Sequence, residues 1–223
     1  MTQQPKGASG PPQRRPLQGR FGRLEPLDEA RHGESLWLAV KGADAMWTYM
    51  AYGPWHDEAS FRAWLKERQV LTDPLYYAVI DGKTGRALGC VTLMRIDQTN
   101  GCIETGHIFF SPALQKTPLA TEAVFLQAKH VFDDLGYRRF EWKCDNANEP
   151  SRRAARRFGF VFEGIFRQHA INKGRNRDTA WFSIIDGEWP ARKAAFERFL
   201  ALENFDADGK QKVGLSALNG ATG

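Results

Sequence analysis

The pattern of hydrophobic and polar positions along this 223-residue chain changes several times, and each change marks an element. Phe21–Leu27 reads as a short strand. Asp28 caps a helix whose apolar residues Leu36, Leu38, Ala39 and Val40 mark the buried side, and Gly42 ends it. Trp47–Trp55 is dense in aromatics and broken by Gly53-Pro54. A second helix starts at Asp57, with Phe61, Trp64, Leu65 and Val70 at helical spacing. Strands follow in series: Leu75–Ile80 meets Ala87–Ile96 across Asp81–Gly85, and Ile103–Phe110 pairs across Thr99-Asn100-Gly101.

The second half alternates helix and strand. The helix opened by Pro118 carries Ala120, Val124, Ala128, Val131 and Leu135 on one face, and Gly136 closes it. Arg138–Cys144 is then a strand, as expected after a crossover helix. Asn148 caps a short helix, Glu149–Phe158, before the strands Val161–Ile171 and Asp178–Ile185, which meet at Lys173–Asn176. Pro190–Leu202 is a last amphipathic helix, with Ala194, Ala195, Phe199 and Leu202 inward. The order β-α-α-β-β-β-α-β-α-β-β predicts one α+β domain over 21–203, a mixed, mostly antiparallel central sheet flanked by helices. Residues 1–20, rich in Pro, Gly and Gln, read as a disordered basic tail, and 204–223 as a flexible one.

One junction carries chemistry. Gly106–Thr121 runs from an apolar strand through the turn Gln115-Lys116-Thr117 into a helix. Thr117 is a good N-cap, and Pro118 suits the first helical position because its missing N–H costs no helical bond. Free N–H groups there, backed by the helix dipole, make an anion site suited to a pyrophosphate, with Lys116 adding a mobile positive charge. Its place at the carboxyl end of a strand, where a crossover begins, is where open sheets bind ligands.

Composition narrows the classes. A 42% hydrophobic content permits a substantial core. No run of about 18 apolar residues predicts a membrane span, and the N-terminus lacks a secretory apolar region. Cys90, Cys102 and Cys144 form neither a disulfide framework nor a zinc pattern, so no metal is expected and a cytoplasmic location fits. The net charge of +5 argues little for nucleic acid: without Lys6, Arg14, Arg15 and Arg20 the chain holds 27 basic against 26 acidic residues.

Taken in order, four segments resemble the GCN5-related N-acetyltransferase (GNAT) superfamily, and within it the RimJ/RimL type that acetylates N-terminal amines of ribosomal proteins. They are Ile103–Ile108, Leu114–Ala123, Asp145–Ser151 with Arg157–Phe160, and Phe162–Arg167. The resemblance spans about Arg20 to Trp189 and implies the acyl-CoA N-acyltransferase fold, acetyl-CoA as cosubstrate and an amine acceptor. It sets Gln115, Pro118 and Ala120 at the marked positions of the pyrophosphate loop Q/R-x-x-G-x-G/A, with Pro118 replacing a glycine. The coenzyme would then lie along Gln115, Lys116, Thr117, Pro118, Leu119, Ala120 and Thr121. The backbone of Phe109, Phe110 and Ser111 would pair with pantetheine like an added strand. Asn148 and Ser151 match the family's N-x-x-S near the thiol.

Amine attack on a thioester needs a neutral amine, a protonated leaving thiolate and a polarised carbonyl. Glu104, beside the pantetheine strand, is the expected base. His107, three residues on, belongs to the opposite face of a regular strand. Ala155 stands where many relatives carry a tyrosine acid, which leaves Ser151. Trp47, Tyr49, Tyr52 and Trp55 either plug the core or wall the acceptor cleft. Arg152, Arg153, Arg156 and Arg157 read as a solvated face, or alternatively as contacts to coenzyme phosphates. Two other functions stay open on the sequence: a degenerate acyl-CoA-binding module, and a ribosome- or RNA-associated protein docking through its tail. A homodimer is left open.

Overall fold

Alternation along the third strand gives the sheet two apolar faces. Leu75, Tyr77 and Val79 join one core, while Tyr76, Ala78 and Ile80 join another. The structure, a computed structural model, describes residue 8 and residues 10–220. Its strands are β1 (Leu17–Gln18), β2 (Gly22–Pro26), β3 (Leu75–Asp81), β4 (Ala87–Asp97), β5 (Cys102–Phe110), β6 (Arg139–Asp145), β7 (Val161–Asn172) and β8 (Arg175–Ile185). Its helices are α1 (Glu29–Val40), α2 (Glu58–Arg68), α3 (Pro118–Lys129), α4 (Glu149–Arg157), α5 (Trp189–Leu200) and α6 (Leu215–Leu218). The eight strands form one sheet in the order β1-β2-β3-β4-β5-β6-β8-β7, antiparallel except at β5/β6. This is the expected mixed α+β architecture.

The helices divide between the faces. The larger core holds the apolar sides of α3 and α5 together with Phe140, Trp142 and Phe182. The smaller holds Leu36, Trp37 and Val40 of α1, and Phe61, Trp64 and Leu65 of α2, against Tyr76 and Phe109. Asp28 and Asp57 cap these two helices by accepting the Arg31 and Ser60 N–H groups. Four residues expected to face inward point out instead. Leu38 is 60% exposed, Val70 lies past the end of α2, and Leu202 lies past the end of α5, where Phe196 and Leu200 take the buried positions. Ala194 is likewise exposed.

The expectation of a free N-terminal tail is corrected over residues 10–20; Lys6 lies outside the described residues. β1 pairs with β2 through Leu17↔Leu24, and Leu17 is only 7% exposed. Arg14 donates to Leu27 O, Arg15 to Asp134 Oδ2 at 2.6 Å, and Arg20 to Leu200 O. The buried carboxylate of Glu122 on α3 accepts the Arg20, Phe21 and Gly22 N–H groups at 2.6, 2.8 and 3.0 Å. The sequence concealed this because the segment is held by arginine and backbone bonds rather than by an apolar stripe.

Residues 204–220 also pack on the domain where a flexible tail was expected, and 221–223 lie outside the described residues. Asn204 binds Phe199 O, Val213 O and Val213 N–H, and Leu215 is fully buried. All three cysteines are free.

Candidate active site

The parallel pair opens a notch in the sheet. β5 and β6 pair from Cys102↔Arg139 to Thr105↔Trp142 and then part, although β5 runs on to Phe110 and β6 to Asp145. On the other side of β5, Ser111 N–H binds Leu88 O at 3.1 Å. Strand alternation therefore turns the Phe110 backbone away from β4 and into the notch. Its carbonyl there accepts Gln115 Nε2 at 2.9 Å. Of the three residues expected to present backbone there, Phe110 alone turns it into the notch, with its carbonyl already bonded to Gln115. Ser111 uses its own carbonyl for the Leu114 and Gln115 N–H groups, and the Phe109 ring packs 5.2 Å from Trp47 in the core.

Beside the notch, the turn into α3 is built as its sequence requires. Lys116 is exposed with φ +61°, and Thr117 caps the helix by accepting Ala120 N–H at 3.2 Å. Pro118 takes the first turn. The Lys116 and Leu119 N–H groups have no hydrogen-bond acceptor among the described residues, so both remain for an anion. Leu119 and Ala120 bury their side chains and can offer only backbone. The Thr121 hydroxyl is engaged by Arg157 Nη2 at 2.9 Å.

On α4, Arg153 and Arg156 are exposed as a solvated face requires, while Arg157 turns inward. Its guanidinium lies over the Phe158 and Phe199 rings, and Arg156 lies over Phe162 and Phe182. Asn148 Oδ1 accepts Ser151 N–H, the expected capping bond. Ser151 Oγ accepts Trp142 Nε1 at 3.1 Å and leaves its own proton to give. Ala155 is fully buried in the core.

The opposite face carries the carboxylate. Glu104 is 5% exposed, with Lys143 Nζ 2.9 Å and Arg95 Nε 3.3 Å from its Oε2. Burial pushes its pKa up, and Lys143 and Arg95 oppose that only in part. Lys143 also binds Glu141 Oε2 at 2.8 Å and sits 3.7 Å over the Trp181 ring. Arg139 pairs with both Glu141 and Glu163. A ladder of paired charges thus crosses β5, β6 and the β7/β8 hairpin. Lys143 was legible in principle, since β6 alternates charged and apolar residues from Arg139 to Cys144.

His107 departs from the expected face. Cys90 pairs with Phe109 and Thr92 with Gly106, so Val91 alone faces His107 and Ile108. This bulge, with His107 at φ +46°, resets the alternation. The imidazole then joins the Glu104 side, stacked between Tyr52 and Tyr76, with Nδ1 3.3 Å from the Tyr52 hydroxyl. Burial lowers its pKa to about 4, so the ring is neutral. The aromatic segment divides. Trp47 and Trp55 plug the smaller core, Tyr52 reaches His107, and Tyr49 crosses to Ala147 O at 3.0 Å. Asn172 and Lys173 of the β7/β8 turn close on the Tyr49 and Trp47 carbonyls.

Residues 23–161 match the model of the acetyltransferase (GNAT) domain family. The chain belongs to the GNAT acetyltransferase family. A crystal structure of a GCN5-related N-acetyltransferase from Brucella melitensis is similar at 50% identity and a TM-score of 0.95, covering 98% of this chain and 100% of that one. Among curated relatives, "Uncharacterized N-acetyltransferase p20" of Bacillus licheniformis is 30% identical over 51% of this chain. That match spans 63% of the relative, less than two thirds of its length. "Putative ribosomal N-acetyltransferase YdaF" of Bacillus subtilis is 24% identical over 76% of this chain and 92% of its own. GNAT acetyltransferases take their acetyl group from acetyl-CoA, and the unpartnered N–H groups at the α3 start fit its phosphates. No helix among the described residues is long and apolar enough to cross a membrane.

Proposed function

We propose that this protein moves an acetyl group from acetyl-CoA to a primary amine by direct attack in a ternary complex. The carrying observation is the β5/β6 notch, flanked by the α3 turn and by a buried carboxylate on the other face. The phosphates lie on the Lys116 and Leu119 N–H groups, and pantetheine pairs with Phe110. The acceptor enters on the side of Tyr49, Tyr52, His107 and Glu104. Its nitrogen attacks the thioester carbonyl carbon and loses a proton to Glu104. The C–S bond breaks, and the departing sulfur takes a proton from Ser151 or water. Holding both reactants in one notch supplies much of the rate.

The raised pKa of Glu104 supports the role, because a buried carboxylate takes a proton more readily than an exposed one. Lys143 and Arg95 favour its ionised form and oppose the effect of burial. Arg14, Arg15 and Arg20 are engaged within the fold, which removes support from docking through a basic tail.

The test is thiol release from acetyl-CoA with a panel of primary amines, on the native protein and on Glu104→Gln. The account expects turnover to fall by ~10²–10⁴-fold, with acetyl-CoA affinity kept and partial recovery at high pH. In the native protein, activity should drop as pH falls through the raised pKa of Glu104. Native-level turnover of the variant at neutral pH removes Glu104 as the base. No turnover with any amine favours the binding-module reading.

A further inference from the structure

His107 occupies a place that a regular strand would not give it. The bulge opposite Val91 holds it at φ +46°, a left-handed backbone that costs energy for any residue but glycine. In consequence Glu104, Gly106 and His107 follow one another along one face of β5. Gly106 has no side chain to screen the carboxylate from the imidazole, and a Cβ there would meet Met94 Sδ. The ring is clamped in this position. Tyr52 and Tyr76 stack on it at 5.6 Å each, with interplanar angles of 26° and 28°. Trp64 packs behind both, 4.7 Å from Tyr52 and edge-on to Tyr76 at 6.1 Å.

The clamp also decides which ring nitrogen carries the proton. The Tyr52 hydroxyl lies 3.3 Å from Nδ1 and has no other partner among the described residues. Burial holds this phenol protonated, so it donates and Nδ1 is the bare nitrogen that accepts. Burial, and after it the Arg68 guanidinium at the end of α2, disfavour the imidazolium. The single ring proton therefore stays on Nε2. That nitrogen has no partner among the described residues and is not buried, so its N–H is left for a ligand or water.

We infer that His107 is a specificity-determining donor, whose Nε2–H binds an oxygen of the acceptor beside the nitrogen that Glu104 deprotonates. This rests on the acetyltransferase reading above and adds a residue to it. The acceptor selected is an amine with a hydrogen-bond-accepting oxygen a few bonds from its nitrogen, over an alkyl amine of the same size. His107 is not the base, because the nitrogen that faces the cleft already holds its proton. Packing does not account for it either, since a phenyl ring would stack as well and leave no N–H in the cleft. An alkyl chain set against that N–H leaves it without a partner, which adds to the discrimination.

The test uses methoxyethylamine and butylamine, which are equal in length and differ by an ether oxygen in place of a methylene. The readout is the ratio of their kcat/KM values for thiol release from acetyl-CoA, taken within each protein so that amine basicity cancels between proteins. In His107→Asn the side chain tolerates the backbone and accepts from Tyr52 but ends short of Nε2. The ratio should fall by about 3–10-fold, the scale of one hydrogen bond. His107→Gln, whose amide nitrogen reaches the Nε2 position, should recover part of the ratio. Tyr52→Phe, which frees the ring proton to move to Nδ1, should lower it part-way. Nitrogen NMR of the native protein at neutral pH should show Nε2 protonated and Nδ1 bare, with the Nε2 signal moving when methoxyethylamine is added. If the Asn variant does not fold, the native spectra decide: a proton on Nδ1, or an Nε2 signal indifferent to the amine, overturns the inference. So does an unchanged ratio in a folded His107→Asn, and in each case turnover of both amines leaves the transferase reading standing. Failure to acetylate any amine overturns both.

Discussion

The two sides of the β5/β6 notch are built on different principles. The side toward α3 uses backbone: the Lys116 and Leu119 N–H groups and the Phe110 edge, set by a Thr cap, a first-turn proline and a parallel pair that parts. Its parts lie within 12 residues of one another, from Phe110 to Thr121. The opposite side uses side chains brought together from far apart. Tyr52 meets His107, Glu104 meets Lys143, and Lys173 closes on Trp47. In the proposed reaction the backbone side would serve the donor, whose chemistry does not vary, and the side-chain side the acceptor. On that proposal, the donor site is held by local geometry and specificity by tertiary contact.

Perturbing the ordered N-terminal segment gives the largest expected effect, because it anchors the helix on which the backbone side depends. Deleting residues 1–20 removes Leu17 from the core and strips one donor from buried Glu122. The expected cost is about 3–5 kcal/mol, or roughly 10 °C in melting temperature for a chain of this size. An unchanged melting curve would mean that α3 holds its place without this strap.

A smaller and more local effect separates the two sides. Lys116→Glu places a negative charge at the exposed turn, so acetyl-CoA affinity should fall by about tenfold, a cost on the scale of one charge at a helix N-terminus. Melting temperature without ligand and KM for the amine should stay as they are. If KM for the amine moves instead of coenzyme affinity, the assignment of the two sides is reversed.

Legibility followed the same division. The helix caps Asp28, Asp57, Thr117 and Asn148 were readable because a cap is a matter of adjacent residues. So was the α3 turn. His107 was assigned to the wrong face because period-2 reasoning assumes an unbroken strand, and the bulge opposite Val91 leaves no strong mark in sequence. Lys143 went unnamed because its partner lies 39 positions away. The ordered N-terminal residues were missed because their anchors are guanidinium and backbone groups, which hydrophobic patterning does not register.

Amide hydrogen exchange with and without acetyl-CoA tests the division most directly, since it reports which backbone the donor covers independently of turnover. The account predicts slowed exchange at Phe110, Lys116 and Leu119 and along the unpaired end of β6, with the Tyr49–Tyr52 segment unchanged. Protection that appears first on the Glu104 side, or no protection at the α3 turn under saturating acetyl-CoA, would contradict it.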